Sequence, residues 1–166
     1  TDTKAFKVVK PVTGVLFRAI GLWLSVPAHI ETECIEWTKY SEEHLQQAVQ
    51  SETPVIIDFY ADWCLPCKEL DRFTFTDAEV KREAQNFVTL KADLTQNNSP
   101  EVQQLKDDYN IRGVPTIVFL NADGEEIPSL RLTGYESADK FLQRMNQVTG
   151  NQNEQLSANI LQEMNE

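Results

Sequence analysis

Two cysteines separated by two residues, in Cys64-Leu65-Pro66-Cys67, are the side chains of this sequence best suited to covalent chemistry. That spacing brings both thiols to one helical turn. One can then attack a disulfide as a thiolate, and the other can resolve the mixed disulfide before the partner departs. At a helix start the unpaired backbone N–H groups and the helix dipole stabilise negative charge on the first sulfur. Cys64 is therefore expected to be the more acidic and more exposed nucleophile, and Cys67, one turn inside, the resolving thiol. CxxC also occurs in metal sites, but a structural zinc needs four ligands, and His29 and His44 lie near no second ligand pair. No metal or other cofactor is expected beyond the redox-active pair itself. Cys34 has no partner in the sequence and is expected to be a buried free thiol.

These cysteines need a strand to deliver them and a helix to hold them. Val55-Ile56-Ile57-Asp58-Phe59-Tyr60 is a continuous apolar run rich in β-branched and aromatic residues, the pattern of a strand buried on both faces. Its single charge, Asp58, falls six residues before Cys64. A carboxylate in that setting has a raised pKa and can relay a proton to or from Cys67. Residues 64–84 read as helical with a break around Thr74 to Asp77, and residues 87–92 as a second buried strand.

Around this centre the alternation continues. Cys34 to Trp37 is expected to be a short edge strand, followed by a helix over 42–51 capped by Ser41. A helix over 100–109 has Pro100 near its start. Residues 116–120 form a strand, Asn121-Ala122-Asp123-Gly124 a turn, and 125–133 a returning strand that completes a hairpin. A helix over 136–148 closes the body. The order β-α-β-α-β-α-β-β-α implies an α/β fold with a mixed central sheet, parallel where helices intervene and antiparallel at the hairpin edge. From Thr149 the chain is rich in Asn and Gln, yet Leu156, Ile160, Leu161 and Met164 keep helical spacing, so residues 149–166 read as a polar tail with a weak amphipathic helix.

The 166 residues suffice for one domain and an appendage. Residues 31–148 form the domain by this reading. The net charge of −11 is unevenly spread: Lys4, Lys7, Lys10 and Arg18 against Asp2 give residues 1–30 about +3, leaving about −14 for the rest. So acidic a body repels phosphate backbones, which excludes nucleic acid as a partner. Residues 12–28 form an apolar run broken only by Arg18, at the short end of membrane-spanning length. Three readings compete for residues 1–30: the end of a membrane helix or anchor, a signal segment, or an amphipathic helix on a membrane or on the domain. The lysines precede the apolar run while Glu31, Glu33 and Glu36 follow it, an order that leaves the acidic body on the outer side of the membrane.

Asp58-Phe59-Tyr60-Ala61-Asp62-Trp63-Cys64-Leu65-Pro66-Cys67-Lys68-Glu69 resembles the active site of the thioredoxin superfamily, and Gly113-Val114-Pro115-Thr116 resembles the cis-proline loop that faces it. With Thr74-Phe75-Thr76-Asp77 added, the chain most resembles the C-terminal domain of the thiol:disulfide interchange proteins called DsbD, over about Ile35 to Met145. The resemblance implies a thioredoxin-like three-layer α/β/α sandwich. It places Asp71 as a second acidic residue near the cysteines, and Val114 with Pro115, expected cis, against a partner's extended strand. Trp63 and Tyr60 become an apolar rim beside the nucleophile. In that family the domain follows a final membrane helix, takes electrons from a membrane domain and passes them to periplasmic proteins, including isomerases and cytochrome maturation proteins. The Leu65-Pro66 pair departs from the pattern, since Pro before the second cysteine is more typical of thioredoxins.

Three functions follow, in order of weight. The first is a reductase tethered on the periplasmic side of the inner membrane, or released there if the N-terminal segment is cleaved, passing electrons to protein disulfides through Cys64 and Cys67. The second is a disulfide oxidase or isomerase using the same residues. The third is a peptide-binding module whose cysteines are incidental.

Overall fold

The computed structural model describes residues 34–163, within a unit that spans residues 33–166. The expectations for residues 1–30, and for Met164 in the tail, fall outside the described residues. Five strands form one sheet in the order β1-β3-β2-β4-β5. They are β1 (Thr38–Lys39), β2 (Val55–Tyr60), β3 (Val88–Asp93), β4 (Thr116–Leu120) and β5 (Leu132–Thr133). β1, β3 and β2 are parallel, β4 runs antiparallel to β2, and β5 antiparallel to β4. The sheet is mixed, as the alternation of elements predicts.

Helices α1 (Glu42–Gln50), α2 (Leu65–Glu69), α3 (Ala78–Ala84), α4 (Pro100–Asp108) and α5 (Ala138–Glu163) cover both faces, with a π-helical turn over Leu70–Thr74 between α2 and α3. Alternation along the strands sorts the core. Ile56, Ile117 and Phe119 face Leu70, Phe75, Val80 and the α5 residues Phe141 and Met145. Val55, Ile57, Phe59, Leu90 and Val118 face Ala48, Leu45 and Val102 of α1 and α4. This is the three-layer sandwich, and each large side chain so buried contributes about 1.5–3 kcal/mol. Ser41 caps α1 by accepting the His44 N–H at 3.2 Å, and Asp77 caps α3 by accepting the N–H groups of Glu79 and Val80. The break expected at Thr74 to Asp77 is thus the end of the π turn and the start of α3.

Three expectations need correction. The edge strand is Thr38–Lys39, not Cys34 to Trp37: the earlier residues are extended but tied instead to the helical layer, through the Ile35 N–H to Phe75 C=O bond of 3.0 Å. The strand over 125–133 is interrupted by a 3₁₀ turn at Pro128–Leu130, because proline lacks the N–H the ladder requires; pairing survives at Leu120 with Glu126 and resumes at β5. The closing helix does not end at Val148: α5 continues to Glu163, so the helix read in the tail is its continuation.

Candidate active site

β2 ends at Tyr60, and a short turn closed by the Cys64 N–H to Ala61 C=O bond of 3.0 Å leads into α2. Cys64 occupies the N-cap position, and its Sγ accepts the Cys67 N–H at 3.2 Å. Pro66 sits in the first turn, where its missing N–H costs nothing. Cys64 and Cys67 are joined as a disulfide with an S–S length of 2.06 Å.

Ala61, Cys64 and Cys67 pack with Tyr60 and Val114, so the loop before β4 closes over the disulfide. The Val114–Pro115 peptide is cis, as expected. The Pro115 C=O accepts the N–H of Gly134 at 3.1 Å, and the Thr116 hydroxyl donates to the Gly113 C=O at 2.8 Å. The backbone of Val114 makes no hydrogen bond to another described residue. Covered in this way, Cys64 is only 3% exposed, the same as Cys67, which corrects the expectation of an exposed first sulfur. Exposure belongs to the rim instead: Trp63 and Leu65 are 65% and 67% exposed, flanking Cys64 on either side in the chain.

Asp58 is buried within β2, the strand that leads to the disulfide. Its strand parity is that of Ile56, so it faces the α2 layer, with Lys91 of β3 and Ile117 of β4 as its cross-strand neighbours. Burial pushes its carboxyl up to about 7, against the pull of Lys91 and with a further push from Asp71. Lys91 Nζ lies 3.5 Å from Asp58 Oδ2 and 2.5 Å from Asp71 Oδ1. Burial alone would lower the Lys91 pKa, yet the two carboxylates outweigh it and hold the ammonium above its ordinary value. Asp71, from the π turn, is therefore not a solitary surface charge.

Lys91, paired with both carboxylates, is the member of this cluster that reading the chain missed. A signal was present: Lys91 is the one charge within residues 87–92, the stretch that reads as a second buried strand, and it is the register partner of Asp58. Cys34, conversely, is exposed rather than buried. In the extended segment 34–37 the side chains alternate, and Ile35 takes the inward position, 4% exposed. Among the described residues no group of three or more His, Cys, Asp or Glu is placed to hold a metal.

A strand delivering a helix-capping cysteine pair beneath a cis-proline loop defines a class of protein, and the chain belongs to the thioredoxin-like domain family, whose pattern matches residues 41–149. Among its relatives, the thiol:disulfide interchange protein DsbD of Yersinia enterocolitica is 46% identical over 92 residues, which are 55% of this chain and 16% of that protein. The DsbD of Vibrio cholerae is 41% identical over 103 residues, 62% of this chain and 17% of its own length. The chain thus spans less than a fifth of these relatives. Among solved structures, the oxidised C-terminal domain of Neisseria meningitidis DsbD is similar with a TM-score of 0.57 and 31% identity, over 67% of this chain and 98% of that one. A thioredoxin from Thermus thermophilus is similar with a TM-score of 0.59 and 30% identity, over 70% and 88% of the two chains.

Proposed function

We propose that this chain is a protein-disulfide reductase module that passes electrons to disulfides of extracytoplasmic proteins. The observation that carries this reading is the Cys64–Cys67 pair at the start of α2, packed with Val114 and delivered by the strand that buries Asp58. In the reduced protein the Cys64 thiolate attacks one sulfur of a partner disulfide. A Cys64–partner disulfide forms and the other partner sulfur leaves as a thiolate. Cys67 then attacks Cys64 Sγ, giving up its proton to the Asp58 carboxylate, and the second partner sulfur is released. Two electrons have moved to the partner, and the Cys64–Cys67 disulfide remains. Trp63 and Val114, with Pro115, form the face that receives the partner's extended segment.

Residues 31–148 carry this chemistry, and residues 1–30 tether it to the periplasmic side of the inner membrane, beside a membrane donor that reduces the pair again. Among the described residues no helix is long and apolar enough to cross a membrane. The similarity to DsbD relatives supports both the direction of electron flow and the location.

The test is the equilibrium reduction potential of the pair, measured against glutathione or a reference thioredoxin. A value near or below roughly −220 mV fits a reductant feeding an oxidising compartment, whereas one near about −120 mV makes the protein an oxidant and overturns the proposed direction.

A further inference from the structure

The turn that carries Cys64 from β2 into α2 is fastened from outside as well as from within. Within it, the Cys64 N–H bonds the Ala61 C=O. The outer anchor comes from a segment 33 residues further on, where the Thr95 hydroxyl accepts the Asp62 N–H at 3.0 Å. Two further bonds place Thr95 for this. Its own N–H donates to Asp93 Oδ1 at 2.8 Å, and the Leu94 N–H donates to the Tyr60 C=O at 2.8 Å, so the chain leaving β3 stays beside the end of β2. Beyond Thr95, Lys106 Nζ of α4 donates to Asn97 Oδ1 at 2.9 Å and Gln103 Nε2 donates to the Asn97 C=O, which ties the loop to α4.

The Thr95–Asp62 bond is poorly suited to stabilising the fold. Asp62 is exposed, and an exposed N–H that loses its protein partner finds water instead. Its consequence is local, because Asp62 precedes Trp63, whose ring is largely exposed. A side chain so exposed takes its place from its backbone. Trp63 adjoins Cys64, and since Cys64 is itself buried, a partner must meet the surrounding surface to reach the sulfur. An aromatic rim contributes most to such contact when it is held ready, since an unheld ring must be ordered on binding.

We propose that Thr95 is a positioning residue that holds the Asp62–Trp63 turn ready for docking, and so favours disulfides carried on a polypeptide over small free disulfides. The proposal deepens the exchange reading above and rests on it. No bond forms or breaks at Thr95; it acts through Trp63, before Cys64 attacks. A small disulfide gains nothing from the rim, whereas a polypeptide on either side of the reacting sulfur lies against it. The role needs an acceptor at this position: valine has the shape of threonine without the lone pair, and serine keeps the lone pair.

The test uses the reduced full chain carrying Cys34→Ser, so that only the Cys64–Cys67 pair reacts, and two substrates: insulin, whose disulfides sit in a polypeptide, and 2-hydroxyethyl disulfide, which has none. Thr95→Val should slow insulin reduction about three- to tenfold, the worth of one hydrogen bond, and change the rate with 2-hydroxyethyl disulfide by less than about twofold. Thr95→Ser should recover most of the insulin rate, and Thr95→Ala replaces Thr95→Val if the latter fails to fold. In a chain that already carries Trp63→Ala, Thr95→Val should slow insulin reduction little further. By NMR the Asp62 amide should exchange with solvent faster in Thr95→Val while the urea midpoint stays nearly unchanged, a pattern that separates a local anchor from a structural one. Equal slowing with both substrates, an unchanged insulin rate, or full additivity with Trp63→Ala overturns the proposal. An unsubstituted chain that reduces neither substrate would instead remove the proposed function, and the docking role with it.

Discussion

Asp58 and Lys91 are register partners on adjacent parallel strands, yet their charged atoms stand 3.5 Å apart while Lys91 makes its shorter contact to Asp71. The carboxylate therefore carries a burial penalty that its neighbour only partly offsets, and its pKa is raised to about 7. A carboxyl raised above its unfolded value binds protons more tightly in the folded state. Its contribution is thus fully favourable below about pH 4 and is lost as pH rises through about 7. The oxidised protein should lose stability between about pH 4 and 7 on this account. Asp58→Asn should flatten that slope and gain roughly 1–3 kcal/mol over the unsubstituted protein at pH 8. Urea unfolding of both proteins at pH 5 and pH 8 measures the difference, and parallel pH dependences would show that Asp58 carries no such penalty.

Cys34 leads to a second expectation, because exposure rather than burial decides whether a free thiol reacts. With Cys64 and Cys67 joined as a disulfide, the native oxidised chain should react rapidly with Ellman's reagent at one thiol, and Cys34→Ser should abolish that reaction. After reduction and unfolding the count should rise to three. Slow labelling of the native protein, at the rate of global unfolding, would mean that Cys34 is covered in solution.

Most of the fold was legible because its signals are local. The apolar run Val55–Tyr60 could only be an interior strand, Ser41 and Pro100 mark helix starts, and the turn at Asn121 to Gly124 is closed by the Gly124 N–H to Asn121 C=O bond of 3.0 Å. Cys64, Cys67 and Asp58 were found for the same reason, as unusual residues in recognisable elements. What stayed hidden depends on contacts between distant segments. Lys91 shows itself only through its register against Asp58 and its reach to the π turn, and Cys64 is buried in a cluster against which Val114, fifty residues on, also packs. The segment before β1 misled because extended backbone alternates whether or not it is paired; its sheet-like pattern belongs to a strap fastened to Phe75.

Thr74 fastens the end of the π turn to the start of the closing helix. Its side chain is fully buried, and its hydroxyl donates to the Glu136 C=O at 2.6 Å. The Glu136 carboxylate in turn holds Arg144 through two contacts, at 2.7 and 3.0 Å. Thr74→Val keeps the shape but leaves the carbonyl without its donor, which should cost about 1–3 kcal/mol. Chemical denaturation checks this, and Thr74→Ser, which retains the hydroxyl, should recover part of the loss. An unchanged midpoint for Thr74→Val would mean that the carbonyl finds water at no cost.

The hairpin turn supplies the last expectation, one that separates backbone strain from steric contact. Gly124 has a φ of +81°, and a Cβ built there would come within 2.7 Å of Val49 Cγ2 on α1. Gly124→Ala should therefore destabilise twice over, by roughly 1 kcal/mol for the left-handed backbone and more for the overlap with α1. Val49→Ala removes the overlapping methyl but not the backbone strain. In the double variant the combined cost should be smaller than the sum of the two single costs, with a coupling of about 0.5–2 kcal/mol from thermal or urea unfolding of all four proteins. Strict additivity would show that α1 and the turn yield to one another freely, and that φ alone requires glycine at this position.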